Sequence, residues 1–174
     1  MSELNLIITP DEDEPGAADI TVEGAIDSHA YRFLLDTGAA KSGVVQDDYT
    51  ATFSNSGEHT SSGVFASSSA NLITVPRLDL GPITWHNVTL TRTAAAPGIR
   101  NVIGMDLLKA YRCHFLFDAE RLILDGDDPS DDIVFTPLLM DQKAHPYVTV
   151  QLGDISAHAV WDTGASLTLS LIHI

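Results

Sequence analysis

The tetrapeptide Asp-Thr-Gly-Ala occurs twice in this chain, at 36–39 and at 162–165, each time closing an apolar run: "FLL" before Asp36 and "AVW" before Asp162. A carboxylate delivered by an apolar strand reaches the edge of a core, where desolvation raises its pKa unless hydrogen bonds compensate. The Thr hydroxyl and backbone N–H groups that follow can provide them, and Gly allows an approach that a Cβ would block. If two such loops meet across an axis, their carboxyls share one proton, because like charges that close cannot both ionise, and the pair titrates as a unit. One member then serves as base toward water while the other, protonated, polarises a carbonyl, which is general acid and base hydrolysis without a covalent intermediate. A single Asp-Thr-Gly is no more than a turn signal; two in matched strand contexts point to one design used twice.

The elements that must position these loops are short strands. "ITVEGAI", "AYRFLLD", "NLITVPRLDL", "WHNVTLTR", "RNVIG", "HFLFD" and "RLILD" are rich in β-branched, aromatic and leucine residues, and Gly24, Gly81-Pro82, Pro97-Gly98 and Asp125-Gly126 punctuate them. One helix of two to three turns is expected in "GMDLLKAYR", with Leu107, Leu108 and Tyr111 at helical spacing and Asp106 as its N-cap. An internal repeat ties the two loops together. Thr21–Ala40 and Thr149–Ser166 both read as a strand opening on Thr-Val, a turn, a second apolar strand and Asp-Thr-Gly-Ala, with the aspartates 126 residues apart and the second copy two residues shorter before its Asp. The charged, turn-prone stretch "DGDDPSDD", Asp125 to Asp132, is the expected linker.

"FLLDTGAAKSGV", followed about 65 residues later by "NVIGMDLLKAYRCHFLFDAERLIL", resembles the retropepsin-like aspartic proteases. In that family an apolar-apolar-Asp-Thr-Gly-Ala loop is joined by an apolar-apolar-Gly segment that opens a short helix, followed by a closing strand pair. The similarity covers Ile20 to Leu124 as a whole lobe and Ile133 to Thr168 as the first part of another. It implies an all-β fold, a closed acid-protease barrel lobe with one short helix plus the first strands of a second lobe. It implies an aspartic-type endopeptidase acting on peptide or protein substrates, with Asp36 and Asp162 as the catalytic pair and no cofactor. Thr37, Gly38 and Ala39, with Thr163, Gly164 and Ala165, match the residues that support the two active-site loops, and Val102, Ile103 and Gly104 match the structural segment beneath the first. "GEHTSSGVFASSSANLITV" falls where the family places its flap, a hairpin that closes over substrate, and small residues at its centre suit a moving tip. No flap aromatic is identifiable. Two alternatives accompany this expectation: a catalytically inactive peptide-binding module of the same fold, and activity only through an Asp36/Asp36 homodimer.

Composition narrows the remaining classes. With 24 Asp plus Glu against 9 Lys plus Arg, the net charge of −15 disfavours phosphate backbones and anionic lipid. At 44% hydrophobic residues the 174-residue chain can bury a core, and "PDEDEP" at 10–15 is expected as a solvated loop. The lone Cys113, in "YRCHFLF", is expected as a small buried thiol, and the N-terminus lacks a basic, long apolar signal, so the expected compartment is cytoplasmic. The sequon at Asn87 therefore carries no expectation of glycosylation. Seven histidines, among them His29, His59, His86, His114, His145 and His158, show no metal-ligand spacing, so no metal is expected. Ser61, Ser62 and Ser67 to Ser69 lie in no Gly-x-Ser-x-Gly elbow, and there is neither Gly-x-Gly-x-x-Gly nor a P-loop. Trp85 and Trp161 are expected in the core or on a pocket wall.

The expected organisation is a complete lobe at 1–124, an acidic linker at 125–132 and the N-terminal part of a second lobe at 133–168. Leu169 to Ile174 is what translation of CTG TCT CTT ATA CAC ATC yields, a series resembling a transposon-end adapter, so 169–174 is expected to be a non-native tail. The expected parent is a monomer with two lobes.

Overall fold

The computed structural model describes residues 2–12, 14–62, 67–126 and 135–165. The expected tail, the core of the expected linker and the centre of the expected flap lie outside them. The first 126 residues form strands β1 (Ser2–Asn5), β2 (Ile7–Pro10), β3 (Ala18–Ile26), β4 (His29–Leu35), β5 (Gly43–Val45), β6 (Gly57–Ser62), β7 (Ser67–Leu80), β8 (Ile83–Thr93), β9 (Val102–Ile103), β10 (Cys113–Leu116) and β11 (Arg121–Leu124), with one short helix, α1 (Met105–Leu108). Three further strands follow, β12 (Leu139–Met140), β13 (Pro146–Leu152) and β14 (Ile155–Val160). Among the described residues the fold is all-β with one short α-helix, as the sequence predicts.

Eight strands form one sheet in the order β2-β3-β4-β9-β5-β8-β7-β6, and a further pairing of β3 with β7 closes it into a barrel. Alternation explains the inside: Phe33 and Leu35 on β4, Ile73 and Val75 on β7 and Leu90 on β8 are fully enclosed. The β7–β8 ladder runs continuously except opposite Pro76, which has no N–H to give, and Asn87, held at φ 54°. Beyond that break the buried positions on β7 change parity, from Ile73 and Val75 to Leu78 and Leu80, so this half of the hairpin turns its other face inward and reaches β3. Gly24 is not a turn residue, as its type suggests, but stands inside β3 at this crossing. A Cβ there would lie 2.6 Å from the Asp79 carbonyl oxygen.

A second, antiparallel sheet of order β1-β11-β10 seals one end of the barrel with Leu4, Leu122 and Leu124. Cys113, on its edge, is half-buried and not enclosed as expected; burial still pushes its thiol up to about 11. Of the acidic 10–15 stretch, residues 10–12 and 14–15 are exposed, and the Asp11 carboxylate accepts the Glu14 N–H at 3.2 Å.

The helix departs from expectation. It spans a single turn, its N-cap is Gly104, and the Asp106 side chain caps nothing there. That carboxylate is engaged elsewhere, as described below.

The repeat is larger than the sequence suggests and sits in a different frame. β12-β13-β14 is an antiparallel sheet of the same order as β2-β3-β4. In the first unit Ile26 faces His29 and Thr21 faces Leu34; in the second, Leu152 faces Ile155 and Tyr147 faces Val160. Each pair is displaced by the same 126 residues as the two aspartates, so the hairpins match without a deletion, and Tyr147, not Thr149, is the counterpart of Thr21. Both two-residue turns begin with left-handed backbone, Asp27 at φ 52° and Gly153 at φ 60°.

Candidate active site

Asp36 follows directly on β4, where a parallel pairing of Leu34 with Val102 and Leu35 with Ile103 continues into a hydrogen bond from the Asp36 N–H to the Ile103 carbonyl at 3.0 Å. Below the loop, the Ala39 carbonyl accepts the Met105 N–H at 2.8 Å. Gly104 is required at this contact, since a Cβ would lie 2.6 Å from that same oxygen. Val102, Ile103 and Gly104 therefore lie beneath the Asp36 loop.

Asp162 follows β14 after one intervening residue, Trp161, and the two loops meet. The Thr37 hydroxyl donates to the Trp161 carbonyl at 2.5 Å and accepts the Thr163 N–H at 3.0 Å. Reciprocally, the Thr163 hydroxyl donates to the Leu35 carbonyl at 2.7 Å and accepts the Thr37 N–H at 3.1 Å. Both threonines are buried. Each glycine then faces the opposite acid: a Cβ on Gly164 would lie 2.6 and 2.7 Å from the two Asp36 oxygens, and one on Gly38 would run into the Asp162 carboxylate. Ala39 is half-buried, while Ala165 is exposed at the mouth of a cavity beside Asp162. The Asp36 loop thus finds its partner within the chain.

Burial, then the negative charge of Asp162 and a hydrogen bond between the two carboxyls, raise the Asp36 pKa from 3.8 to about 6, against the pull of the Ala39 and Gly38 N–H groups. Asp36 Oδ1 is buried and accepts no hydrogen bond from the described residues, whereas Asp162 Oδ1 accepts the Gly164 N–H at 2.9 Å. The two acids are equivalent by the repeat but not by environment.

The sign of the linkage follows. Between pH 3.8 and about 6 the folded protein binds more protons at Asp36 than the unfolded chain does, so its stability falls as pH rises through that window. The expected result is a melting temperature that drops between pH 4.5 and 7, with up to about 3 kcal/mol traceable to this carboxyl. Calorimetry of wild type beside Asp36→Asn checks it, since the variant should lose most of the slope.

The sequence gives no notice of the network that anchors the first loop from behind. Ser42, fully buried, donates its N–H and its hydroxyl to Asp106 Oδ1 at 2.9 and 2.6 Å, and its oxygen accepts the Gly104 N–H at 2.9 Å. Lys41 Nζ lies 3.3 Å from Asp106 Oδ2. This is why Asp106 caps no helix. Ser42→Ala leaves the buried Gly104 N–H without its acceptor and takes from Asp106 Oδ1 one of its two donors, and should cost about 1–3 kcal/mol in urea unfolding.

The remaining candidates form no second site. Among the described residues no group of His, Cys, Asp and Glu could hold a metal ion, and no helix is long and apolar enough to cross a membrane. Trp85 packs edge-on against Tyr111, and Trp161 against Phe115 at 5.4 Å.

Comparison with known proteins gives a match over residues 22–110 to the family described as "gag-polyprotein putative aspartyl protease". No curated protein matches the chain. Among solved structures, a retropepsin-like aspartic protease from Rickettsia conorii is similar, with a TM-score of 0.47 and 19% identity, over 71% of this chain and 92% of that one.

Proposed function

Because the chain belongs to the gag-polyprotein aspartyl protease family, we propose that it works as an aspartic-type endopeptidase, hydrolysing peptide bonds with water activated between Asp36 and Asp162. The observation that carries this is the reciprocal threonine exchange, which holds two carboxyls together with one raised to about 6. Around that value the pair shares one proton. The ionised member takes a proton from water as its oxygen attacks the peptide carbonyl carbon. The protonated member gives its proton to the carbonyl oxygen, and the resulting tetrahedral diol collapses as the departing nitrogen is protonated. Thr37, Gly38 and Ala39, with Thr163, Gly164 and Ala165, hold the acids at this distance. The β6–β7 hairpin, paired from Gly57–Leu72 to Ser62–Ser67, is the flap of this scheme.

The substrate is a peptide or protein, and the unit at 135–165 is the opening part of a second lobe. Ile26 and Leu35 are 0% exposed, whereas their counterparts Leu152 and Trp161 are 52% and 38% exposed, which supports reading the second hairpin as a surface to be covered by further strands of its own lobe. The working form is then one chain with two lobes, and 125–132 is the connection between them.

The test is digestion of a peptide mixture between pH 4 and 7 in water enriched in oxygen-18. Internal cleavage with one heavy oxygen in each new carboxyl terminus, fading above about pH 6, is expected. Absence of cleavage at every pH by a chain carrying both whole lobes would sink the proposal.

A further inference from the structure

Between β4, which leads into Asp36, and β5 lies β9, only two residues long. Backbone pairing is correspondingly thin at this joint, with Leu34 opposite Val102 and Leu35 opposite Ile103 on one side and Gly43 opposite Val102 on the other. Asn101, the residue before β9, extends the joint in both directions. Its Oδ1 accepts the Val45 N–H on β5 at 2.8 Å, and its Nδ2 donates to the Arg32 carbonyl on β4 at 3.1 Å. Its own backbone carbonyl accepts the Leu34 N–H at 2.8 Å. Asn101 thus binds β4 twice, at Arg32 and at Leu34, along the stretch that ends in Asp36.

Resting on the proteolytic reading above, we propose that Asn101 is a positioning residue for Asp36: its side-chain amide continues the ladder that β9 is too short to supply, and so sets how far β4 advances the Asp36 carboxyl toward Asp162. The amide suits the place chemically. The Val45 N–H needs an acceptor and the Arg32 carbonyl needs a donor, and a carboxamide offers both from one carbon. A carboxylate would turn lone pairs toward the Arg32 carbonyl, and an apolar side chain would bond to neither strand. Without the amide, the end of β4 is held to β9 by backbone bonds alone and can draw back. The interaction between two carboxyls falls with their separation, so a retreat of Asp36 is readable in its titration.

The test is carboxyl titration by NMR of the 174-residue chain beside Asn101→Ala, Asn101→Leu and Leu78→Ala. Leu78 is fully buried and pairs with Ile26, opposite His29, so Leu78→Ala weakens the barrel at the other end of β4 from Asp36. Asp36 should titrate near 6 in wild type and in Leu78→Ala. Both Asn101 variants should bring that midpoint down by about half a pH unit or more. Asn101→Leu keeps the volume of the side chain and is the one to read should Asn101→Ala fail to fold. In a chain carrying both whole lobes, the same changes should lower kcat by about tenfold with KM within about twofold, because Asn101 acts on the acid and not on the substrate. An Asp36 midpoint unmoved by the Asn101 changes, or moved as far by Leu78→Ala, would make Asn101 purely structural and overturn the proposal while leaving the protease reading in place. A wild-type Asp36 that titrates near 3.8 would remove the dyad and overturn both.

Discussion

Asp36→Asn is expected to lower peptide cleavage by about a thousandfold or more and, at neutral pH, to raise the melting temperature. The two effects have one origin. Asp36 is buried beside a second carboxyl, and its Oδ1 accepts no hydrogen bond from the described residues, so ionising it at pH 7 costs folding free energy that an amide of the same shape avoids. The amide can neither share a proton nor accept one from water. Asp162→Asn should do comparable damage to turnover, and the double variant little more, because the acids act as a unit. Turnover assays beside calorimetry read both effects. A variant that lost activity and also melted earlier would place Asp36 in a structural role.

Gly38→Ala and Gly164→Ala should each cut activity nearly as severely, by a different route. A methyl at either position occupies space held by the opposing carboxyl, so the loops must part. The overlap is with the acids themselves, not with a yielding side chain, and overpacking of this kind costs about 1–3 kcal/mol. Parting the loops weakens the influence of Asp162 on Asp36, so the Asp36 pKa should fall back toward 3.8. Carboxyl titration by NMR checks this, since a purely local packing defect would leave that pKa near 6.

What the sequence disclosed, and what it did not, divides along physical lines. The seven strands rich in β-branched and apolar residues are all present, because burial on a pleated surface leaves a period-two record in the chain. β5, only Gly43–Val45, and β12, only Leu139–Met140, are too short to leave one. The Asp-Thr-Gly loops were legible because their chemistry needs those residue types in that order. The Ser42–Asp106 bond was not, because it joins residues 64 apart and neither type announces the other. Helical spacing in "GMDLLKAYR" overstated α1, which ends after Leu108 as the chain turns into β10. The frame of the repeat was misjudged because matching Thr-Val letters outweighed turn geometry. Strand register is set by the two-residue turns at 27–28 and 153–154, and these tolerate no deletion.

The reciprocal bonds between Thr37 and Thr163 have a consequence for control. Each hydroxyl both gives to and takes from the opposite loop, so neither half of the exchange exists in a lone hairpin. Asp162 is likewise a cause of the Asp36 shift, so a first lobe that has not met the second carries a more ordinary acid. On the proposed function, assembly and chemical competence are thereby the same event, and a nascent chain would stay harmless to its neighbours until both loops have been made and joined.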